Sequence, residues 1–129
     1  MITLPVTLIT ACILGLLFIW LCIYVINGRV KNEALIGDAG NTDMLFRIRT
    51  HANFTEYVPI FLILLALLEL HGGNRIALIV IAAVFVIARV LHILGMGEDA
   101  NLKPRQIGIV GSFTGIIASS LYGLYLVIA

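Results

Sequence analysis

Arginine, asparagine and glutamate recur at helical spacing in the second quarter of the chain. Arg49, Asn53 and Glu56 are separated by four and then three residues, so they share one stripe of a helix. Guanidinium groups bind carboxylates through paired hydrogen bonds. A single carboxylate and an amide oxygen can accept hydrogen bonds from an ammonium group. The stripe therefore suits a small ligand that carries carboxylates and an amino group.

A second polar stripe follows further along the chain. Arg89, His92 and Met96 are spaced i, i+3, i+7, while Arg29 and Arg105 stand at the ends of two other apolar stretches. If all these stretches are helices of one bundle, each brings polar groups to the same level. If that bundle spans a membrane, inserting each ionisable side chain into the bilayer costs a few kcal/mol of free energy, roughly 2.5–3.5 for arginine. Retaining several at one level calls for mutual pairing or for a ligand.

Mutual pairing and ligand binding require different numbers of acidic side chains beside the arginines. In an internal ion-pair network, Glu56 would pair with Arg49 or Arg89, and the other basic residues would only set the topology in the membrane. Against it, Glu56 is the only acid placed within the helices at that level, beside five arginines: Arg29, Arg47, Arg49, Arg89 and Arg105. This surplus favours an anionic ligand. No Ser-His-Asp spacing, phosphate-binding glycine loop or metal-ligand spacing occurs, so no metal site is predicted.

His51, the two cysteines and Tyr57 are expected, from their positions alone, to have structural roles. His51 lies beside the stripe, and we expect it to contact a neighbouring helix in a structural role. Cys12 and Cys22 fall inside an apolar stretch, where they are interpreted as small hydrophobic residues rather than a disulfide framework. Tyr57, judged alone, is more typical of a core or interface position.

The composition of the chain predicts which elements carry these polar residues. Of the 129 residues, 61% are hydrophobic and 12% are charged, and the mean hydropathy is +1.12, whereas soluble domains carry about 25% charged residues. The chain is therefore predicted to be one all-α integral membrane domain, residues 1–129, forming an up-down bundle of four transmembrane helices. Their expected ranges are 4–27, 43–70, 75–95 and 105–128. Strands are excluded by the length of the apolar runs.

Charge near the helix ends predicts an orientation. Seven basic residues flank the first and third loops, namely Arg29, Lys31, Arg47, Arg49, Arg89, Lys103 and Arg105, against Arg75 on the other side. Those loops are expected to be cytoplasmic, with both termini opposite. The third loop is acidic at Glu98 and Asp99. The net charge of +1 gives no reason to expect a nucleic-acid partner. The first apolar run lacks a preceding basic region, so it is predicted to be a retained spanning helix.

The fourth predicted helix carries small residues on one face: Gly108, Gly111, Gly115 and Ala118. Small residues let helix backbones approach closely in lipid. This face therefore indicates packing rather than chemistry, and it is compatible with contacts between subunits.

The sequence resembles a known family, the membrane-associated proteins in eicosanoid and glutathione metabolism (MAPEG). The stretch Arg49-Thr-His-Ala-Asn53-Phe-Thr-Glu56-Tyr57-Val-Pro59 is similar to the family's helix 2 motif. Ala88–His92 is similar to its helix 3 segment, and Arg105 follows Arg89 at the interval of the family's catalytic arginine. The similarity covers nearly the whole chain, and it is closest to small bacterial members related to microsomal glutathione transferases.

The resemblance implies a bacterial inner-membrane homotrimer that binds glutathione between subunits near the cytoplasmic face. Arg105 would stabilise the glutathione thiolate as the catalytic residue. The expected glutathione-binding residues are Arg29, Arg49, Asn53, Glu56, Tyr57, Arg89 and His92. The resemblance implies that an apolar, electrophilic second substrate enters from the bilayer along helices 1 and 4.

Two differences from the sequences of eicosanoid-forming members of the family limit the reactions that are expected. Eicosanoid-forming members often have a tyrosine where this chain has Met96, and the prostaglandin-forming type has a serine where it has Gln106. The leading prediction is thus a glutathione transferase for lipophilic electrophiles, with hydroperoxide reduction as an open second reaction. A non-catalytic glutathione-binding or assembly protein is the main alternative. A four-helix exporter is a further one, for which Glu56 is the sole candidate to couple protons, since the first predicted helix has no charged residue.

Overall fold

Four helices make up the fold. The computed structural model describes residues 3–97 and 100–128; the predicted acidic pair Glu98 and Asp99 lies outside them. The helices are α1 (Pro5–Lys31), α2 (Thr42–Leu70), α3 (Arg75–Leu94) and α4 (Leu102–Ile128). All four are long and apolar enough to cross a membrane. No strand occurs within the described ranges, so the predicted all-α, four-helix membrane fold is confirmed.

The helices run antiparallel to their neighbours in sequence and pack into a ring. The α3–α4 and α1–α2 pairs make the most extensive contacts, α2 also packs on α4 and α3, and α1 packs on α3. In the described part of the chain, α1 and α4 do not pack against each other. The two helices therefore occupy opposite corners of the bundle.

The interior is filled by apolar side chains, and the outside is apolar as well. Phe61 and Phe85 stack at the centre with ring centroids 3.7 Å apart, and both are fully buried. Large aliphatic side chains such as Leu16 and Ile117 point outward, with 75% and 57% of their surface exposed. A surface of this kind suits lipid as its solvent.

Two helix ends differ from the expected ranges. α1 continues through Gly28 because this glycine lies under the Arg47 side chain, where a Cβ atom would collide with it. Arg47 also donates to the Tyr24 carbonyl oxygen at 2.9 Å, tying α2 to this last part of α1. α4 begins at Leu102, before Pro104, because the Asn101 side chain accepts a hydrogen bond from the Lys103 N–H at 3.0 Å. Proline is tolerated in a first turn, where the N–H is unpaired in any case.

At the opposite end of the bundle, α2 supplies the N-cap that α1 lacks. The residue before α1, Leu4, makes no side-chain capping bond. Instead the Glu69 carboxylate accepts hydrogen bonds from the Val6 N–H (2.9 Å) and from the N–H and hydroxyl of Thr7 (2.8 and 2.7 Å). A carboxylate at a helix N-terminus is also favoured by the helix dipole.

Replacing Glu69 by glutamine should destabilise the bundle by about 1–2 kcal/mol. The amide has one acceptor oxygen instead of two, so a donor of α1 would lose its partner, and the dipole interaction would disappear. Thermal unfolding in detergent should show a lower Tm. Glu33→Gln is the matched control, because Glu33 is an exposed loop residue. Equal Tm values for the two variants would contradict this role of Glu69.

Candidate functional site

A polar cavity lies where α2 begins, α3 ends and α4 begins. Its volume is about 140 Å³. The polar lining comes from Arg49 and Asn53 of α2, His92 of α3 and Arg105 of α4. Leu45, Phe46, Met96 and Ile109 complete the wall. The structure thus brings four of the predicted site residues together around one cavity, from three helices rather than four.

Arg89 lies next to this cavity and is buried, with 1% of its surface exposed. It donates to the Asn53 Oδ1 atom at 2.8 Å and to the Gly108 carbonyl oxygen at 3.3 Å. Arginine has only donors, so the oxygen of the Asn53 amide must face it. The amide NH₂ group of Asn53 is then the part that remains for a ligand, and it requires an acceptor such as a carboxylate or carbonyl oxygen.

The Arg89 guanidinium also retains an unused donor. Its Nε atom is buried without a hydrogen-bond partner in the described part of the chain. A buried donor left unpaired costs about 1–3 kcal/mol. Arg89 adjoins the cavity through its bond to Asn53, which lines it.

The charge balance around the cavity is positive. Arg49 and Arg105 line it, Arg89 lies behind Asn53, and the lining residues in the described part of the chain include no carboxylate. Among residues 3–97 and 100–128, the ion pair formed is Arg47–Asp43, at 2.9 Å. Glu56 is exposed and pairs with neither Arg49 nor Arg89. The internal ion-pair network considered from the sequence is therefore not what neutralises these arginines within one subunit.

The other predicted site residues lie away from the cavity in the single subunit. The Arg29 guanidinium donates to the carbonyl oxygens of Ala34, Leu35 and Gly37 at 3.1–3.3 Å, bracing the first loop. Tyr57 lies on α2 one helical turn beyond Asn53, and the centre of its ring is 5.4 Å from the Arg89 guanidinium carbon. Their predicted contacts with glutathione remain predictions.

Glycines bring the α4 backbone close enough to complete the cavity. A Cβ atom at Gly108 would lie 2.5 Å from the His92 nitrogen and 2.6 Å from the Ala88 oxygen, both backbone atoms. One at Gly95 would collide with the Arg105 backbone. The small-residue face of α4 thus packs on α3 within the subunit, where it sets His92 and Arg105 side by side. Leu45 and Ile109 were not predicted as site residues, although each lies four residues from a predicted one, Arg49 or Arg105, and this spacing could have indicated them.

The chain is similar to a known protein family and to two bacterial membrane proteins. The family model of the MAPEG family matches residues 7–125. Two relatives, from Escherichia coli K12 and from E. coli O6:H1 strain CFT073, are both named inner membrane protein YecN. Each is 27% identical over 101 residues, which cover 78% of this chain and 76% of the relative.

Proposed function

This chain belongs to the MAPEG family, and from that premise we propose that it is a membrane-bound, glutathione-dependent transferase acting on lipophilic electrophiles. Glutathione is its co-substrate, bound at the cavity between α2, α3 and α4. The alternative is a membrane protein of the same fold that binds glutathione without turnover. The proposal rests on the charge and hydrogen-bonding character of the cavity.

The observation that carries the proposal is a cationic cavity whose wall, as formed by residues 3–97 and 100–128, contains no acidic side chain. Arg49, Arg105 and the adjoining Arg89 provide three guanidinium groups. The Asn53 amide and the unpaired Arg89 Nε add neutral and charged donors that face no protein acceptor. Glutathione carries two carboxylates and two peptide carbonyls, which are the acceptors that such donors bind. Uncharged lipid alone would leave these groups unpaired.

Arg105 is assigned the chemical role because its guanidinium lines the cavity from the start of α4. A neighbouring cation favours the thiolate form of a thiol, and the thiolate is the nucleophile. In the transferase reaction the glutathione thiolate attacks an electrophilic carbon, and the carbon–sulfur bond forms as the bond from that carbon to a leaving group such as chloride breaks. Reduction of a hydroperoxide would begin with attack by the same thiolate on the terminal oxygen, which breaks the oxygen–oxygen bond and gives glutathione sulfenic acid and an alkoxide. A second glutathione would then convert the sulfenic acid to the disulfide and water.

We further propose that the protein acts as a homotrimer. Pockets that enclose small-molecule ligands usually measure about 300–1,000 Å³, while the cavity of one subunit measures about 140 Å³. A neighbouring subunit would supply the missing wall. The exposed Glu56 and the outward face of α1 are then available to complete the site of a neighbour, and the second substrate would reach it between α1 and α4 of different subunits.

Orientation and location follow the same reasoning. The basic residues that flank the first and third loops favour a cytoplasmic position for the cavity, where glutathione is available. The relatives named inner membrane proteins support the bacterial inner membrane as its location. Proton-coupled efflux is a weaker candidate, because the helical carboxylate considered for coupling, Glu56, is exposed on the bundle surface.

The proposal is tested by glutathione binding to the purified protein in detergent, measured by titration calorimetry. Arg49→Gln should weaken binding by about tenfold or more, because one charge-assisted contact contributes roughly 1.5–3 kcal/mol. Arg49 makes no protein hydrogen bond among the described residues, so folding should be unaffected. Lys31→Gln, an exposed basic residue at the end of α1, is the control and should bind normally. Equal loss in both variants would indicate nonspecific electrostatics, and absence of binding to the wild type would refute the proposal.

A further inference from the structure

A cysteine and a histidine meet on the face of the bundle formed by α1 and α2. The Cys22 sulfur lies 3.5 Å from the His51 Nε2 atom. Both residues are partly accessible, and neither lines the arginine-rich cavity. A thiol and an imidazole in hydrogen-bond reach form the pairing that activates cysteine nucleophiles.

The pair lies at the level of the membrane–water boundary. On α1 it is bracketed by Trp20 and Tyr24, whose rings stack with centroids 5.4 Å apart and planes 5° from parallel. Tryptophan and tyrosine are enriched at this boundary. On α2, His51 lies between Arg49 and Asn53, within the polar first half of that helix. Lipophilic molecules and protons are both available at this depth.

An apolar groove leads along α1 and α2 toward the pair. Its volume is about 290 Å³, and its wall includes Gly15, Phe18, Phe54 and Leu62. From Leu62 to Phe54 it follows α2 for about 12 Å, at 1.5 Å per residue. Phe18 lines the end of the groove, and its ring lies 5.3 Å from the His51 ring. Neither Cys22 nor His51 lines the groove, so the head of an alkyl tail held there would reach the thiol past the edge of the Phe18 ring.

We propose that Cys22 is a covalent modification site for lipophilic α,β-unsaturated aldehydes, with the alkyl tail in this groove and His51 as the base. The imidazole Nε2 accepts the thiol proton, which requires the tautomer protonated at Nδ1. The sulfur forms a bond to the β-carbon while the carbon–carbon double bond breaks toward the carbonyl. The proton then passes from the imidazolium to the α-carbon. Thiol and aldehyde combine one to one, and no other reactant is needed.

This site shares no residue with the proposed glutathione cavity. It lies on the α1–α2 face, whereas the arginine-rich cavity is lined by α2, α3 and α4. A protein that failed to bind glutathione would still react at Cys22. The two proposals can therefore fail separately.

The chain contains its own matched control. Cys12 is on the same helix and is exposed, while Cys22 is only partly accessible. Cys12 has no imidazole partner in the described part of the chain, where the cysteine–histidine contact is Cys22–His51. If exposure to lipid alone governed reactivity, Cys12 would react first. The proposal predicts the reverse order.

The experiment exposes the purified protein in lipid nanodiscs to trans-2-nonenal and follows the mass added at each cysteine by peptide mass spectrometry. The Cys22 adduct should form at least about tenfold faster than the Cys12 adduct. In His51→Gln, the Cys22 rate should fall by about a hundredfold, the lower range of general-base catalysis, while the Cys12 rate stays the same. Equal rates at the two cysteines of the wild type, or a Cys22 rate unchanged by His51→Gln, would overturn the proposal. The wild-type comparison decides even if the variant fails to fold.

Discussion

Replacing Arg105 by alanine should lower the rate of glutathione conjugation by about a hundredfold or more, while glutathione binding weakens only slightly. Removing one group that stabilises developing or resident negative charge costs about 10²–10³ in rate in other enzymes. The carboxylates of glutathione would still be held by Arg49 and by the Arg89–Asn53 pair, so affinity should persist. Turnover with a chloronitrobenzene electrophile and calorimetric binding, measured side by side, give the two quantities.

Lys103→Ala is the matched control for this result. Lys103 is an exposed basic residue two positions away, in the first turn of α4, and it does not line the cavity. It should retain wild-type turnover. If Arg105→Ala keeps its turnover, or if both variants lose it equally, Arg105 does not act on the thiolate. Loss of binding together with turnover would instead make Arg105 a binding residue.

Gly108→Ala should destabilise the protein by about 3 kcal/mol and disrupt glutathione binding as well. The added Cβ meets backbone atoms of His92 and Ala88 at 2.5–2.6 Å, and backbone cannot rotate aside as a side chain can. Overpacking of this kind costs typically 1–3 kcal/mol. The α3–α4 separation must then increase, which also weakens the bond from Arg89 to the Gly108 carbonyl oxygen.

Gly15→Ala provides the comparison for this variant. Gly15 is also a helical glycine, but a Cβ atom there would meet nothing within 4 Å. Thermal unfolding in detergent should show a Tm several degrees lower for Gly108→Ala and an unchanged or higher Tm for Gly15→Ala, since alanine is the better helix former. Equal Tm values would show that α3 and α4 do not approach each other closely at Gly108.

The fold was predictable because membrane spans are a matter of length and apolarity. All four helices are long and apolar enough to cross a membrane, although ionisable residues interrupt the apolar runs of α2 and α3. The helix ends were less predictable, because they depend on contacts between distant residues. Gly28 resembles a helix terminator in isolation, but in the structure it is the surface on which Arg47 of α2 lies.

The candidate site was predictable within helices and not between them. The spacing of Arg49 and Asn53 placed both on one stripe, and both line the cavity. Spacing carries no information about which stripe faces which, so the bond from Arg89 to Asn53 could not be foreseen. The same limit applies to Arg29, whose partners in one subunit are loop carbonyls, and to the glycine face of α4, which packs on α3.

The central claim is that the arginine-rich cavity binds glutathione and holds it as the thiolate. The most direct measurement is an ultraviolet difference titration of glutathione with the purified wild-type protein in detergent at neutral pH. We expect a saturable thiolate absorbance that Arg105→Ala abolishes. Saturable binding without a thiolate signal would contradict the transferase assignment and leave a glutathione-binding protein, and no binding at all would contradict the assignment of the cavity itself.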